Sequence, residues 1–353
     1  MQQDRTRNGD FRWGIWGTGV IAASFAHDVA ASGDMRVEAV CSRSAESAEA
    51  FCRRIGAARA HADAQAFLSD PAIDAVYIAT PSALHVPQTL QAIAAGKPCL
   101  TEKPLALDAR GAAAIETTAK EQTVFVMEAM WTRFLPAIQS ARRHIAAGRI
   151  GKVTHIEADL SYFRAYDPQS RFFDPALGGG AAFDLGVYPV SLALFFMGLP
   201  DETGGHSVRA PSGVDMRTEI DLAWKDGATA RLSCGFDRDG ENLMLIEGTQ
   251  GGLLIHAPFL KAERLTLLSA GAMRSSLFGP RAGGLAGKAM KRLSLPGRKA
   301  ENHALAGNGL QFEACAVRDA VRAGEISSPV MPLSHSIAVA EILQRALSGT
   351  DKR

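Results

Sequence analysis

Glu102-Lys103-Pro104 closes a short apolar segment, PCLTEK, and sets a lysine at the end of what reads as a β-strand. Proline disfavours helical geometry at the residue before it, so Lys103 is held extended, and an X-Pro bond admits a cis form that would fix the lysine's direction. A cation held there can stabilise negative charge developing on a substrate oxygen. Much farther along, GGGAAFDLGVYP runs from Gly178 to Pro189. If the chain is helical from Ala181 onward, Asp184 and Tyr188 are four apart and share one face, behind glycines that permit close backbone approach. Tyrosine titrates near ~10 in isolation, so proton transfer by Tyr188 near neutral pH benefits from a nearby cation. Lys103 is the candidate. Asp184 could orient that lysine, bond a substrate hydroxyl, or simply cap the helix.

Near the N-terminus a strand, WGIWG, runs into Gly17-Thr18-Gly19-Val20-Ile21-Ala22 and then a helical stretch. This is a G-x-G-x-x-A form of the dinucleotide turn: Gly17 permits the tight turn, Gly19 admits a pyrophosphate to the backbone amides, and Ala22 lets helix pack on strand. A second strand ends Cys41-Ser42-Arg43-Ser44 with no acid at its tip, while Glu38 lies inside the strand and Glu46 in the following helix. An NAD site wants a carboxylate there and an NADP site a cation. The sequence therefore predicts NADP, with Arg43 on the 2′-phosphate and Ser42 as hydroxyl donor; NAD remains an alternative. Thr80-Pro81 ends the strand AVYIAT, where a loop can touch the nicotinamide riboside. His85 reads as cofactor-adjacent and noncatalytic.

The elements that must position these residues follow from patterning. From Phe11 to about Val126, short apolar runs alternate with longer amphipathic ones, which implies a doubly wound parallel sheet with ligands at the carboxyl ends of its strands. After Trp131, segments such as VDMRTEIDLAWKDGATARLSCGF and LMLIEGTQGGLLIHA alternate apolar and polar residues around Asp-Gly and Gly-Gly turns. The fold class is α/β: a Rossmann domain over 1–127, then 128–353 as an α/β domain with an open-faced, mostly antiparallel sheet. The last two helices, 310–323 and 334–347, could pack back on the first domain. An open face, if apolar, usually finds a partner, so a homodimer is expected.

Composition narrows the partners. The chain has 353 residues, enough for two domains, and a net charge of +1, which gives no steering toward nucleic acid or an anionic membrane. Five scattered cysteines, never in a C-x-x-C pair, argue against disulfides or a metal site and for a reducing cytoplasm. The polar start MQQDRTRNGDF has no export signal, and the apolar stretch from Val187 to Leu199 reads as a buried helix rather than a membrane span. The basic stretch from about Gly271 to Gly309, with Arg274, Arg281, Lys288, Lys291, Arg292, Arg298 and Lys299, reads as a solvated loop because aromatic residues are almost absent from it.

The segments GIWGTGVIA, IATPSALHVPQTLQAIAAGKPCLTEKP, EAMWTRFLP, FDPALGGGAAFDLGVYPVSLA and SPVMPLSHS together resemble the glucose-fructose oxidoreductase, inositol dehydrogenase and rhizopine-catabolism (Gfo/Idh/MocA) family over nearly the whole chain. Within it, EAMWTRFLP with DLGVY is most similar to the dihydrodiol dehydrogenase and NADP-dependent D-xylose dehydrogenase branch; inositol dehydrogenase-like members carry histidine where this chain has Tyr188. The resemblance implies hydride transfer between a nicotinamide and a hydroxyl-bearing carbon of a sugar or cyclic diol. It makes Lys103 and Tyr188, with Asp184, the catalytic set, implies a cis Lys103-Pro104 bond, and implies dimerisation through the open sheet. It also implies that Trp131 and Arg133 line the junction of cofactor and substrate; Glu102 is counted with the cofactor contacts, and the pocket side chains Trp131, Tyr162, Phe163, Arg164 and Arg171 suggest a ring-shaped polyol held by stacking and hydrogen bonds. Two other functions share such a fold: a dinucleotide-binding sensor, which needs neither Lys103 nor Tyr188, and a glycosidase that uses NAD transiently, which the NADP-type strand end disfavours.

Overall fold

The computed structural model describes residues 10–275 and 296–349. Of the basic stretch, Arg281, Lys288, Lys291 and Arg292 lie outside the described residues. The chain divides into two compact units, one of residues 1–131, 176–178 and 306–340, the other of 132–175, 179–305 and 341–353. The first therefore runs to Trp131, a few residues past the boundary read from the sequence, and it recruits 306–340 from the far end of the chain.

In the first unit six strands lie in the order β3-β2-β1-β4-β5-β6. They are β1 (Phe11–Trp16), β2 (Met35–Cys41), β3 (Arg59–His61), β4 (Ala75–Ile78), β5 (Cys99–Glu102) and β6 (Val126–Ala129), and every pairing is parallel. Strand β3 escapes a sequence reading because it is three residues long and largely exposed. The helices between are α1 (Val20–Ala31), α2 (Ala45–Ile55), α3 (Ala64–Leu68), α4 (His85–Ala94) and α5 (Ala109–Gln122). Strand order reverses between β1 and β4, so the loops after those two strands, which hold Gly17 and Thr80, border the switch point where such sheets bind ligands.

Local chemistry sets the helix ends. Ser44 accepts the Ser47 N–H at 3.2 Å at the start of α2, and Asp108 accepts the Gly111 N–H at 2.6 Å at the start of α5. Under the sheet, Phe25 stacks on Tyr77 with centroids 3.8 Å apart, and Trp13 meets Phe25 edge-on. Fully buried Asp28 of α1 receives the Asn308 and Leu310 N–H groups at 3.0 Å, which anchors the start of a C-terminal helix, Leu310–Ala323.

The second unit holds an eight-stranded sheet in the order β14-β13-β12-β11-β7-β10-β9-β8. Its strands are β7 (Val153–Ser161), β8 (Glu202–Arg209), β9 (Asp215–Ala223), β10 (Thr229–Gly235), β11 (Met244–Gly248), β12 (Gly251–Ile255), β13 (Arg264–Ser269) and β14 (Arg298–Asn302). The sheet is mixed: β10 runs parallel to β7 while the other pairs are antiparallel. Helices α6 (Pro136–Ala146) and α7 (Val187–Met197) pack against it, and α8 (Ala270–Arg274) sits on β12 and β13. Every residue of α7 from Val187 to Phe195 is buried, so the long apolar stretch is a core helix. The C-terminal helices, α9 (Leu310–Ala323) and α10 (Leu333–Ser348), complete the described chain.

On β7, β9 and β10 the residues Ile156, Ala158, Leu160, Ile220, Leu222 and Leu232 are buried, while their neighbours in the alternation are charged. Arg217 pairs with Asp237 at 2.8 Å, Arg238 with Asp159 at 3.2 Å and Arg231 with Asp221 at 3.4 Å. Over these three strands this side of the sheet is polar. Farther across the same face, in register with Glu157, Leu245, Leu254 and Leu268 form an apolar cluster with Ala272 of α8, so this face is charged over β7, β9 and β10 and apolar over β11 to β13.

Candidate active site

The glycine turn after β1 is shaped by sterics. Gly17 has φ +124°, and a Cβ on it would fall 2.4 Å from the Ala79 carbonyl oxygen. Only glycine lets the exit of β1 pass so close to the end of β4. Gly19 begins α1 in extended geometry with no side-chain cap, and nothing lies within 4 Å of where its Cβ would be. The first amides of α1 therefore have no side-chain acceptor at the cap, and no acid sits in the first turn. Val20 is 86% exposed and Ile21 is also on the surface, whereas Ala22 is fully buried. An anionic pyrophosphate fits beside such a helix start, with Thr18 half-buried at its edge.

At the end of β2, half-buried Ser42 donates its backbone N–H to the His61 carbonyl at 3.1 Å, and Arg43 is exposed. Among the described residues Arg43 has no ion pair. Neighbouring carboxylates have other partners. Glu38 is buried against Arg36 at 3.0 Å and Arg59 at 3.5 Å, and Asp63, close enough to Cys41 to act on it electrostatically, caps α3 through the Ala66 N–H at 2.7 Å. Thr80 donates its hydroxyl to Gln88 at 2.5 Å, and Pro81, exposed, opens the turn that leads to His85.

The backbone around Lys103 is tied on every side. The Lys103-Pro104 bond is cis. Glu102, buried, takes the Tyr77 hydroxyl on one carboxylate oxygen and the Lys103 N–H on the other, the latter at 3.1 Å. Glu128 of β6 takes the Leu105 N–H at 2.9 Å. His85 lies between two carbonyls, with Nδ1 2.7 Å from Pro104 and Nε2 2.9 Å from Thr80. Burial pushes the His85 imidazole down toward its neutral form, against the two carbonyl contacts, which favour the protonated one. His85 is thus a brace for the segment, and Glu102 faces inward to Tyr77 rather than outward to a ligand.

A third acid completes this group. Glu313, in the first turn of α9, is fully buried, and neither of its oxygens has a hydrogen-bond partner among the described residues. Burial pushes its carboxyl well up, and the charges of Glu102 and Glu128 push it further. Burial likewise raises Glu102, against the Tyr77 hydrogen bond and the Lys103 charge. Sequence reasoning missed Tyr77, Glu128 and Glu313. The only available signal was an acid inside the apolar run VFVMEAM.

In the second unit, Ala182–Gly186 forms a π-helical turn that leads directly into α7. The helix read from Ala181 is present, but its first turn is wide, a feature that recurs at functional sites. Asp184 lies half-buried on that turn and Tyr188 is buried in the first turn of α7. Asp215 starts the turn: it accepts the Ala182 N–H at 2.7 Å and the Thr218 hydroxyl at 2.9 Å. Burial pushes the Asp215 carboxyl up, with those bonds working against it. Gly180, at φ +118°, must be glycine because a Cβ would meet Asp215 Oδ1 at 2.2 Å. No motif marked Asp215 in advance.

Arg133 lies inside the protein. Its guanidinium is fully buried and donates to Ser191 twice, Nε to the hydroxyl at 2.8 Å and Nη2 to the carbonyl at 2.6 Å, with the Phe195 ring 5.2 Å away. It braces α7, the helix of Tyr188, and presents no surface to a cofactor. Trp131 is buried at the end of the first unit, while Phe163 is 61% exposed and its N–H is held by Asp239 at 3.0 Å. Burial pushes the half-buried Tyr162 hydroxyl up. Lys103 belongs to the first unit, Asp184 and Tyr188 to the second. Among the described residues no group of three His, Cys, Asp or Glu side chains could hold a metal ion.

A parallel sheet with a glycine turn and an uncapped helix start at its switch point defines the class: a Rossmann-type dinucleotide-binding oxidoreductase. Residues 11–130 match the oxidoreductase family with an NAD-binding Rossmann fold, and residues 138–254 match the GFO/IDH/MocA C-terminal domain. The protein belongs to the Gfo/Idh/MocA family. It is 30% identical over 372 residues to D-xylose 1-dehydrogenase (NADP(+)) of Hypocrea jecorina, covering 95% of this chain and 91% of the relative. It is 29% identical to trans-1,2-dihydrobenzene-1,2-diol dehydrogenase of Mus musculus, covering 95% of each. Among solved structures, levoglucosan dehydrogenase in complex with NADH and levoglucosan superposes with a TM-score of 0.80 at 22% identity, over 96% of this chain and 97% of that one. Aldose-aldose oxidoreductase from Caulobacter crescentus gives 0.81 at 20% identity over the same shares, a likeness of fold.

The acid cluster sets a pH dependence. A carboxyl whose folded pKa lies above its unfolded value near ~4.3 favours the folded state most at low pH, and that contribution is lost as pH rises through the raised value. Replacing Glu313 with the neutral, isosteric side chain of Glu313→Gln removes the penalty at high pH. The variant is expected to melt a few degrees above wild type at pH 8.5, with the gap narrowing toward pH 5. A melting difference that is constant from pH 5 to 8.5 would show that Glu313 does not titrate with folding.

Proposed function

We propose that the protein is an NADP-preferring dehydrogenase or reductase acting at a hydroxyl-bearing carbon of a sugar or cyclic diol. The nicotinamide, when bound, supplies or receives the hydride. Tyr188 exchanges the proton of the substrate hydroxyl, and the Lys103 ammonium steadies the oxygen as its charge changes. Asp184, one turn before Tyr188, bonds a neighbouring substrate hydroxyl, and Trp131 and Phe163 offer flat surfaces to the ring. The names of the relatives support the substrate class: a dihydrobenzene diol and D-xylose both carry adjacent hydroxyls, as do the ligands of the two solved neighbours.

The observation that carries the cofactor preference is exposed Arg43 at the end of β2, with Glu38 buried against other arginines. A guanidinium there suits a 2′-phosphate, and Glu38, the carboxylate of β2, is already paired with Arg36 and Arg59. Following absorbance at 340 nm with NADP or NAD and a panel of aldoses and cyclic diols tests both statements. Wild type is expected to turn over at least one of them with NADP at the higher kcat/KM, and Arg43→Ala to cut the NADP to NAD ratio at least tenfold. An unchanged ratio in Arg43→Ala would refute the assignment of Arg43.

The same reading makes the protein a homodimer that joins through the open side of the eight-stranded sheet. With Arg217, Arg231, Arg238 and their carboxylates on that side, part of the interface is charged and weakens with salt. Sedimentation at micromolar concentration should give a dimer at low ionic strength; monomer alone would exclude it.

A further inference from the structure

The second unit carries a pair of arginines that its own carboxylates leave alone. Beyond the ends of the parallel strands β7 and β10 the ladder continues, with the Tyr162 N–H bonded to the Gly235 carbonyl at 3.0 Å and the Arg164 N–H to the Phe236 carbonyl at 2.8 Å. This pins the backbone of Arg164. Its guanidinium carbon lies 3.7 Å from the centroid of the Phe172 ring, and that of Arg171 lies 4.1 Å from the centroid of the same ring. Phe172 in turn packs edge-on against Phe236, which is fully buried. Two cations therefore share one aromatic support anchored in the core.

Two like charges on one ring repel each other, and a cation–π contact at a partly exposed site returns only about 0.5–1 kcal/mol. Arginines elsewhere on this sheet are neutralised: Arg217, Arg231 and Arg238 each have a carboxylate within 3.4 Å. Neither Arg164 nor Arg171 has an ion pair among the described residues, and Arg164 Nε is shielded from solvent with no hydrogen-bond partner. The nearby acids Asp237 and Asp239 are engaged by Arg217 and by the Phe163 N–H. Arg171 is exposed and Arg164 half-buried, so their terminal N–H groups can meet an oxyanion, which a planar guanidinium grips in bidentate fashion.

The pair is built into the loop that carries the proposed catalytic residues. The Phe172 carbonyl accepts the Gly180 N–H and the Asp174 carbonyl accepts the Gly179 N–H, each at 2.9 Å. Gly179 and Gly180 lead straight into the turn of Asp184 and the helix of Tyr188. The arginine support and the catalytic turn are thus two strips of one hydrogen-bonded loop system.

We infer that Arg164 and Arg171 bind an anionic group on the substrate, so that the preferred substrate is a sugar or cyclic polyol bearing a carboxylate or a phosphate. The inference rests on the reading of the site as one for sugars or diols, and it names their charge. Calorimetry on the full-length protein saturated with NADP compares three probes with the same ring: D-glucose, D-glucuronate and D-glucose 6-phosphate. At least one anionic sugar is expected to bind tenfold or more tighter than D-glucose, and which one does so distinguishes carboxylate from phosphate. Arg171→Gln, at an exposed position where folding tolerates change, should abolish most of that preference, and Arg164→Gln should do the same. Equal affinities for the three sugars, or a preference that survives both substitutions, would overturn the inference even if the enzyme oxidises glucose. An intact anionic preference with no NADP reduction by any sugar would instead overturn the proposed reaction and leave this assignment standing.

Discussion

Two buried carboxylates at the ends of adjacent strands hold the segment on which the proposed chemistry depends. Glu102 accepts the N–H of Lys103 and Glu128 the N–H of Leu105, on either side of a proline that has no N–H to offer, and His85 meets the proline's carbonyl. Leaving such donors unsatisfied inside the protein would cost on the order of 1–3 kcal/mol each. The acids do more than satisfy them. Because Tyr77 fixes Glu102 from the far side, the backbone at Lys103 is set by a chain of contacts running from the aromatic core to the strand end. Burying carboxylates there carries its own penalty, visible in the raised Glu102 and Glu313, to which their mutual charges add and which the Lys103 charge opposes at Glu102.

The second unit solves the matching problem with one acid and one base. Asp215 fastens the beginning of the wide turn that holds Asp184, and Arg133 fastens α7 from its other side through Ser191. Both are buried charges with several hydrogen bonds each, the condition under which a charge in the interior is tolerated. Between them Tyr188 has little freedom. The charged part of the open sheet and the arginine pair on Phe172 lie outside this frame, so they can vary with partner and substrate while the frame stays fixed.

Much of this was legible in the chain. Short apolar strands separated by amphipathic helices gave the parallel sheet, Gly17 and Gly19 marked its switch point, and Asp226-Gly227 marked the β9–β10 hairpin, because periodicity and turn chemistry are local properties. Residues whose roles arise from pairing across the sequence were not legible. Glu128 and Glu313 are distant in sequence and meet the Lys103 segment only after the sheet forms, and Asp215 reaches Ala182 from another strand. The link from Arg133 in EAMWTRFLP to Ser191 of α7 was hidden for the same reason. The polarity of the open sheet was also hidden, since alternation tells which residues share a face but not which face the helices will cover.

The central claim is that Lys103 and Tyr188 act as one unit on one substrate oxygen. A double-mutant cycle on kcat/KM, with Lys103→Met, Tyr188→Phe and the double variant assayed with NADP and the best substrate, measures that coupling directly. Each single variant is expected to lose about 10²–10⁴-fold, and the double variant to be scarcely worse than the poorer single one. Losses that multiply, so that the two substitutions act independently, would contradict the account.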